Sequence, residues 1–264
     1  MQDLHISLIQ SDIHWHKVEA NLASFEEKIW HAEKSDIILL PEMFNTGFSM
    51  EARPYAEKMN GKTFKWMRNM AEQSRAVIIG SYMISDGPDY YNRLIFMRPS
   101  GEFAMYNKRH LFRMTGEDQH FSPGKEIVIN TVEGWNINAL ICYDLRFPVW
   151  SRNKLNSENQ TLLYDLLIYI ANWPAARISA WDILLKARAV ENTCYVVGLN
   201  RVGEDGTGIV YNGHSNVVSP KGRTFENCRE DEFIQSYTLS AKELVSYREK
   251  FPAHLDSDSF EIET

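Results

Sequence analysis

Short apolar runs alternate with amphipathic segments along most of the chain. Residues 4–10 alternate between apolar and polar side chains, as in a strand with one buried face. Continuous apolar runs, which indicate strands buried on both faces, cover residues 36–40, 76–80, 166–171 and 194–199. Apolar side chains at helical spacing predict helices over residues 17–33, 63–73 and 180–192. This alternation of strands and helices predicts an α/β layered fold.

Turn residues and short apolar stretches predict the remaining elements. Two hairpins are expected, one over residues 91–98 and 102–106 and one over 127–132 and 135–141. Further predicted elements are a strand-like segment over 210–218 and helices over 148–155 and 242–250. Residues 114–124 are too polar and too rich in glycine for a regular element. The helix over 180–192 should turn Trp181, Leu184, Leu185 and Val190 inward.

Cys142 lies where a predicted buried strand ends and a helix is expected to begin. Asp144 is suited to cap that helix, and Pro148 is suited to its first turn. Backbone N–H groups are unpaired at such an elbow, and a helix dipole there favours a thiolate or an oxyanion. The elbow alone leaves two readings open, a reactive nucleophile or a small buried apolar residue.

Other polar residues also follow directly from predicted strands. Glu42 comes just after the run at 36–40, Lys108 follows the second hairpin arm, and residues 172–174 follow the run at 166–171. Ligands in open α/β sheets bind at the carboxyl ends of the strands. The coincidence of these residues at strand ends favours Cys142 as a nucleophile.

Composition narrows the class of protein. The 264 residues carry a formal net charge of −7, and the basic clusters are short, which argues against nucleic acid as a partner. The three cysteines, Cys142, Cys194 and Cys228, are too few and too widely spaced for a disulfide framework. No apolar run approaches a membrane span, and the start of the chain has no secretory pattern, so a cytoplasmic protein without a membrane partner is expected. No linker divides residues 1–264, which predicts one domain.

Three motifs together resemble the signature blocks of the nitrilase, or carbon–nitrogen hydrolase, superfamily. They lie at residues 41–44 (PEMF), 107–112 (NKRHLF) and 141–148 (ICYDLRFP). The resemblance implies a four-layer αββα sandwich that forms a homodimer. Within the superfamily, these blocks and the segments at 172–174 (NWP) and 186–192 (KARAVEN) look most like the omega-amidase branch.

The resemblance also implies a catalytic apparatus. The family triad maps onto Glu42, Lys108 and Cys142, and a second catalytic glutamate maps onto Glu117. These residues support amide hydrolysis through a cysteine thioester, with Glu42 as general base and acid. An oxyanion would lie between the Lys108 ammonium and the Tyr143 backbone N–H. No metal and no organic cofactor is expected.

The expected substrate is the terminal amide of a small dicarboxylic or α-keto acid, such as 2-oxoglutaramate. Its distant carboxylate needs a donor such as arginine, and Arg177 is the predicted anchor, with a surface arginine at a helix start as the other reading. Arg146 is expected to brace the elbow by pairing with a carboxylate. Phe48, Met114 and Trp173 should line the apolar middle of the pocket.

Several alternatives remain open on sequence alone. The chain could be a nitrilase, an N-carbamoyl hydrolase, a short aliphatic amidase or a non-catalytic protein on the same fold. A cysteine–histidine hydrolase would use His110 or His120, and a metal site would use His14 and His16. The tail over 251–264 carries Phe251 and Leu255, which predicts that it packs at the dimer interface.

Overall fold

The structure is a computed structural model that describes residues 1–156, 161–226 and 229–263. The strands are β1 (Leu4–Gln10), β2 (Ile37–Leu39), β3 (Val77–Asp86), β4 (Asp89–Met97), β5 (Phe103–Asn107), β6 (Ile129–Val132), β7 (Trp135–Ile141), β8 (Leu166–Ala171), β9 (Tyr195–Asn200), β10 (Val202–Glu204), β11 (Val210–Asn212), β12 (Asn216–Val218) and β13 (Phe233–Leu239). The α-helices are α1 (Val18–His31), α2 (Ala52–Tyr55), α3 (Lys62–Ser74), α4 (Glu117–His120), α5 (Ile178–Asn192) and α6 (Ala241–Lys250). Short 3-10 helices cover Arg113–Thr115, Cys142–Arg146, Ala175–Arg177 and Ala253–Asp256.

Two large mixed sheets form the centre of the molecule. The first has the strand order β13-β1-β2-β3-β4-β5, and the second has the order β12-β9-β8-β7-β6. Strands β1, β2 and β3 are parallel in the first sheet, and β7, β8 and β9 are parallel in the second. Strands β10 and β11 form a separate small hairpin.

The sheets pack face to face, and helices cover their outer faces. Alternation along β2 shows this directly, because Ile37 and Leu39 join the core shared with the second sheet while Ile38 packs under α1 and α3. On the far side, α5 and α6 pack on the second sheet through Trp181 and Leu244. The four-layer αββα sandwich expected from the sequence is therefore confirmed.

The chain departs from the predicted elements at the elbow. Residues 148–155, all of which are described, do not form a helix; the helical turn is instead the 3-10 helix Cys142–Arg146, which begins at the cysteine itself. Asp144 does not cap a following helix, because its buried carboxylate accepts the backbone N–H groups of Ile141 and His110. The turn is thereby tied to the strand before it and to the loop after β5.

The structure differs from the predicted elements in four further places. Residues 114–124 contain α4, which begins after Gly116 at φ +75°. Residues 210–218 divide into β11 and β12, with Gly213 at φ +71° between them. Val190 is half exposed instead of facing inward. Strand β13, which the sequence analysis did not identify, pairs antiparallel with β1.

Cys142 and Cys194 are buried free thiols, whereas Cys228 lies outside the described residues. Within the described ranges, none of the helices is long and apolar enough to cross a membrane.

Candidate active site

Four ionisable residues meet where the carboxyl ends of the two sheets face each other. Glu42 follows β2, Lys108 follows β5, Cys142 follows β7, and Glu117 begins α4. All four are buried, with 8% of Cys142 and at most 1% of the other three exposed. The Asn172 backbone N–H, at the end of β8, donates to Glu42 Oε2 over 2.8 Å, which joins the ends of the two sheets. The structure therefore brings together the four residues that the sequence predicted to be catalytic.

Lys108 lies between two carboxylates. Its Nζ donates to Glu42 Oε1 over 2.9 Å and to both oxygens of Glu117 over 2.9 and 3.0 Å. Burial alone would lower the pKa of Lys108, but the charges of Glu117 and Glu42 outweigh it and raise that pKa above its usual value. Lys108 therefore remains an ammonium throughout the neutral range.

Glu117 is held in place by the loop in which it lies. Its Oε2 accepts the Phe112 backbone N–H as well as a Lys108 donor. Burial raises the pKa of the Glu117 carboxyl, the Lys108 ammonium opposes this, and the nearby Glu42 charge adds to it. Glu117 is the least evident of the four from the sequence, because the loop that contains it is shorter than in many members of the family that the sequence resembles.

Cys142 adopts a backbone conformation that side chains rarely occupy. Its φ is +44°, and the residue after Glu42, Met43, has the same φ. Strain of this kind persists where the surrounding structure holds it, and it occurs often at active sites. Cys142 Sγ lies 3.8 Å from the Asn172 carbonyl oxygen, and the Glu42 carboxylate is close enough to act on the pKa of the thiol.

Burial, together with the negative charge of Glu42, raises the pKa of the Cys142 thiol well above its ordinary range. The Lys108 ammonium lowers it, and Glu117 raises it further. Lys108 thus favours the thiolate, but the opposing causes are larger. The cysteine is a thiol at neutral pH, and Glu42 is in place to accept its proton.

Asp144 connects the cysteine turn with the lysine loop. Its carboxylate, buried with no exposed surface, accepts the Tyr106 hydroxyl over 2.8 Å and the His110 backbone N–H over 2.9 Å. The Ile141 backbone N–H donates to it from the strand side over 3.1 Å. Since Lys108 lies between Tyr106 and His110 in the chain, Asp144 fixes the distance between the nucleophile turn and the ammonium.

A cavity of about 220 Å³ opens beside the cysteine. Every side chain that the sequence predicted to bind substrate or to form the oxyanion hole lines it: Phe48, Lys108, Met114, Tyr143, Trp173 and Arg177. Other walls come from Asn172 and Pro174, in the segment 172–174 that was expected at a strand end near the site, and from Phe112, Thr115, Ile209 and Tyr211, for which the sequence indicated no binding role. Ile209 and Tyr211 lie beside and on β11. Glu42 and Glu117 lie behind this lining.

Arg146 and Arg177 both line the cavity. The expectation that Arg146 pairs with a carboxylate is wrong, because its guanidinium lies 4.9 Å from the centre of the Trp173 ring and no ion pair among the described residues includes it. Arg177 lies over Phe112 at 5.4 Å and donates to Met114 Sδ over 3.5 Å. The cavity therefore holds two guanidinium groups against aromatic and thioether surfaces.

The histidines named as alternatives have other contacts. His110 Nδ1 is 2.8 Å from Asp144 Oδ1, and the ring stacks on Phe147 with centroids 3.7 Å apart. His16 Nε2 contacts the Ser49 hydroxyl at 2.8 Å. His120 is exposed at the end of α4. None of the hydrogen bonds described for these rings reaches Cys142.

A four-layer sandwich with a cysteine, a lysine and two glutamates at the facing ends of its sheets has the fold and site of a carbon–nitrogen hydrolase. The model of the carbon-nitrogen hydrolase family matches residues 5–249, and the chain belongs to this family.

Close relatives narrow the class of enzyme. The omega-amidase YafV of Escherichia coli K12 is 43% identical over 263 residues, covering 99% of this chain and 100% of the relative. The 2-oxoglutaramate amidase of Bacillus subtilis is 30% identical over 255 residues, covering 95% and 96%. The crystal structure of XC1258 from Xanthomonas campestris, a CN-hydrolase superfamily protein with an arsenic adduct in its active site, superposes with a TM-score of 0.97 at 42% identity and full coverage of both chains. The chain is an amidase of this family.

Proposed function

We propose that the enzyme hydrolyses the terminal amide of a small dicarboxylic or α-keto acid, such as 2-oxoglutaramate, to the acid and ammonia through a thioester on Cys142. The observation that carries this proposal is the presence of Arg146 and Arg177 in the cavity that holds the cysteine. The names of the relatives from Escherichia coli and Bacillus subtilis support the same substrate class.

In the first half-reaction, the Cys142 thiol gives its proton to Glu42 as sulfur attacks the amide carbon. The negative charge that develops on the carbonyl oxygen is stabilised by the Lys108 ammonium and the Tyr143 backbone N–H, and such donors typically contribute about 3 kcal/mol each. The C–N bond then breaks, and Glu42 returns the proton to the departing ammonia. The product left on the enzyme is a thioester.

The second half-reaction uses water and the same base. Glu42 takes a proton from water as hydroxide adds to the thioester carbon, and the C–S bond then breaks to release the acid while Glu42 returns the proton to sulfur and regenerates the thiol. Glu117 acts on Lys108, because its two oxygens hold the ammonium at 2.9 and 3.0 Å. The sum is one amide and one water converted to one acid and one ammonia.

The arginines supply the recognition of the distant carboxylate. Arg177 remains the proposed anchor, and Arg146 is a second donor that the sequence analysis assigned elsewhere. A planar guanidinium matches a carboxylate with two parallel hydrogen bonds. Trp173, Phe112 and Phe48 surround the space between the arginines and the cysteine, and this apolar wall suits the short methylene chain of such a substrate.

A substrate panel tests this function. Ammonia release is measured with 2-oxoglutaramate, a neutral short amide, an aliphatic nitrile and an N-carbamoyl amino acid. We expect the highest kcat/KM with 2-oxoglutaramate and no turnover in Cys142→Ala. Cys194→Ala is the matched control, because Cys194 is a buried cysteine of the core. A clear preference for the nitrile or carbamoyl compound, or full activity of Cys142→Ala, contradicts the proposal.

A further inference from the structure

We propose that Asn92 is a positioning residue that holds the Glu42 and Glu117 carboxylates in their active arrangement, and that Ser81 sets the direction of the Asn92 amide. Asn92 lies in β4, and only 1% of it is exposed. Its Nδ2 donates to Glu42 Oε1 over 2.8 Å and, at a longer 3.4 Å, to Glu117 Oε1. The inference rests on the proposed cysteine mechanism, in which Glu42 is the base.

The orientation of the Asn92 amide follows from a chain of donors. The Met43 backbone N–H donates to the Ser81 hydroxyl oxygen over 3.0 Å. Because that N–H can only donate, the hydroxyl proton is free to go to another acceptor, and Asn92 Oδ1 lies 2.9 Å away. The amide oxygen therefore faces Ser81, and the amide NH₂ faces the two carboxylates.

This orientation matters because the cluster carries excess negative charge. Glu42 and Glu117 share a single ammonium, Lys108, in a place with no exposed surface on any of the three side chains. Buried like charges disfavour the ionised form, and each hydrogen bond donated to a carboxylate favours it. Asn92 supplies such donors without adding a charge, so it offsets part of the repulsion between the two carboxylates.

Asn92 also fixes geometry. Glu42 Oε1 accepts from both Asn92 and Lys108, and Oε2 accepts from the Asn172 backbone N–H. Donors on both oxygens leave the carboxylate no free rotation. In the described part of the chain, the ionisable groups that face Glu42 are Lys108, Glu117, Cys142 and Tyr211.

The test replaces the side-chain amide of Asn92 and measures kcat/KM as a function of pH. Asn92→Leu removes the donors at similar volume, and Asn92→Asp keeps the shape but puts a third carboxylate beside the first two. We expect kcat/KM at neutral pH to fall about 10- to 100-fold and the acid limb of its pH profile to move up by about one unit, because the pair of carboxylates loses a hydrogen-bond donor. The shift should be larger for Asn92→Asp. Ser81→Ala should give a smaller shift in the same direction.

Asn138→Leu is the matched control. Asn138 is also an asparagine in a strand, β7, with 1% exposed, but no hydrogen bond described for it reaches either glutamate. It should lose stability without moving the pH profile. An unchanged pH profile in Asn92→Leu and Asn92→Asp, or the same shift in Asn138→Leu, overturns the proposal. If Asn92→Leu does not fold, the nearly isosteric Asn92→Asp decides.

A second readout needs no amide substrate. The rate at which iodoacetamide alkylates Cys142 should show the same upward shift of its acid limb in the Asn92 variants, since Glu42 must accept the thiol proton. This separates the two proposals. If wild type does not hydrolyse 2-oxoglutaramate but the alkylation profiles shift, the substrate assignment fails and the role of Asn92 stands. If wild type hydrolyses it and neither profile shifts, the role of Asn92 fails alone.

Discussion

Replacing Lys108 by methionine tests whether the lysine is needed for stability as well as for chemistry. Methionine has a similar length and no charge, so Lys108→Met leaves Glu42 and Glu117 facing each other without the ammonium that lies 2.9 Å from each. Asn92 and the backbone donors remain. The variant should therefore contain two buried carboxylates with too few partners.

The size of the effect follows from burial. Removing one partner of a buried ion pair typically costs about 3 to 5 kcal/mol, because the remaining charge is left without compensation. For a domain of this size, about 1 kcal/mol corresponds to about 2 to 4 °C in Tm. We expect Tm at neutral pH to fall by about 6 to 20 °C. Turnover should fall by at least about 100-fold, because an oxyanion donor is lost.

The sign of the pH dependence follows from Glu117. The pKa of Glu117 is raised in the folded protein. The stability that Glu117 contributes as a neutral acid is therefore present at low pH and is lost as pH rises through the raised pKa. Lys108 opposes that rise, and its removal moves the folded pKa higher still. The Tm deficit of Lys108→Met should therefore be largest above the raised pKa and should shrink as pH falls toward the ordinary carboxyl range of about 4.3.

Differential scanning calorimetry between acid and neutral pH measures this, with the double variant Lys108→Met/Glu117→Gln as the control. The double variant has the same net charge in the cluster as wild type, so it should recover part of the lost Tm and lose most of the pH dependence, while remaining inactive. A Tm deficit that does not change with pH, or no gain in the double variant, would refute the reasoning from charge.

Three further predictions have direct tests. Mass spectrometry after incubation with a slow amide should show an acyl adduct on Cys142 and none on Cys194; an adduct on Cys194 alone would contradict the assigned nucleophile. Arg177→Met should raise KM for 2-oxoglutaramate about 10- to 100-fold and leave KM for a neutral short amide unchanged. Arg146→Met should have the same effect if both arginines bind the carboxylate. Equal losses on both substrates would place the anchor elsewhere. Light scattering at micromolar concentration should give a dimer mass, since Phe251 and Leu255 are each 55% exposed on the tail that we expect at the interface; a monomer mass would count against this.

The site residues that sequence patterns located share one property. Glu42 and Cys142 each follow closely on a run of apolar residues that forms a strand of a central sheet, so the end of the run marks the end of the strand. The pattern marks both as strand-end residues, where ligands of such sheets bind. The two strands belong to different sheets, and the packing of the sheets brings the two ends together. Lys108 follows β5, the second arm of a hairpin, and its assignment needed the family motif as well.

The contacts of other site residues could not be predicted from the spacing of residues along the chain. Asn92 lies inside β4, where it reads as one polar position in a hairpin, and its bonds to Glu42 arise from the order of β2, β3 and β4 in the sheet. Arg146 enters the cavity because the turn after β7 is a 3-10 helix starting at Cys142. A helix beginning at Pro148, as predicted, would have left that arginine in a connecting loop.

The proposed mechanism also keeps the net charge of the buried cluster constant. In the resting cluster, the charges of Glu42, Glu117 and Lys108 sum to −1 with Cys142 as a thiol, whose raised pKa keeps it protonated. Proton transfer from Cys142 to Glu42 moves the negative charge to sulfur, attack moves it to the substrate oxygen, and loss of ammonia returns it to Glu42. The sum stays at −1 through each step, so no step creates a new net charge in a buried site, where charge is costly. Glu117 is not needed for this constancy, because without it the sum would be zero at each step; its part is to hold the Lys108 ammonium through hydrogen bonds of 2.9 and 3.0 Å.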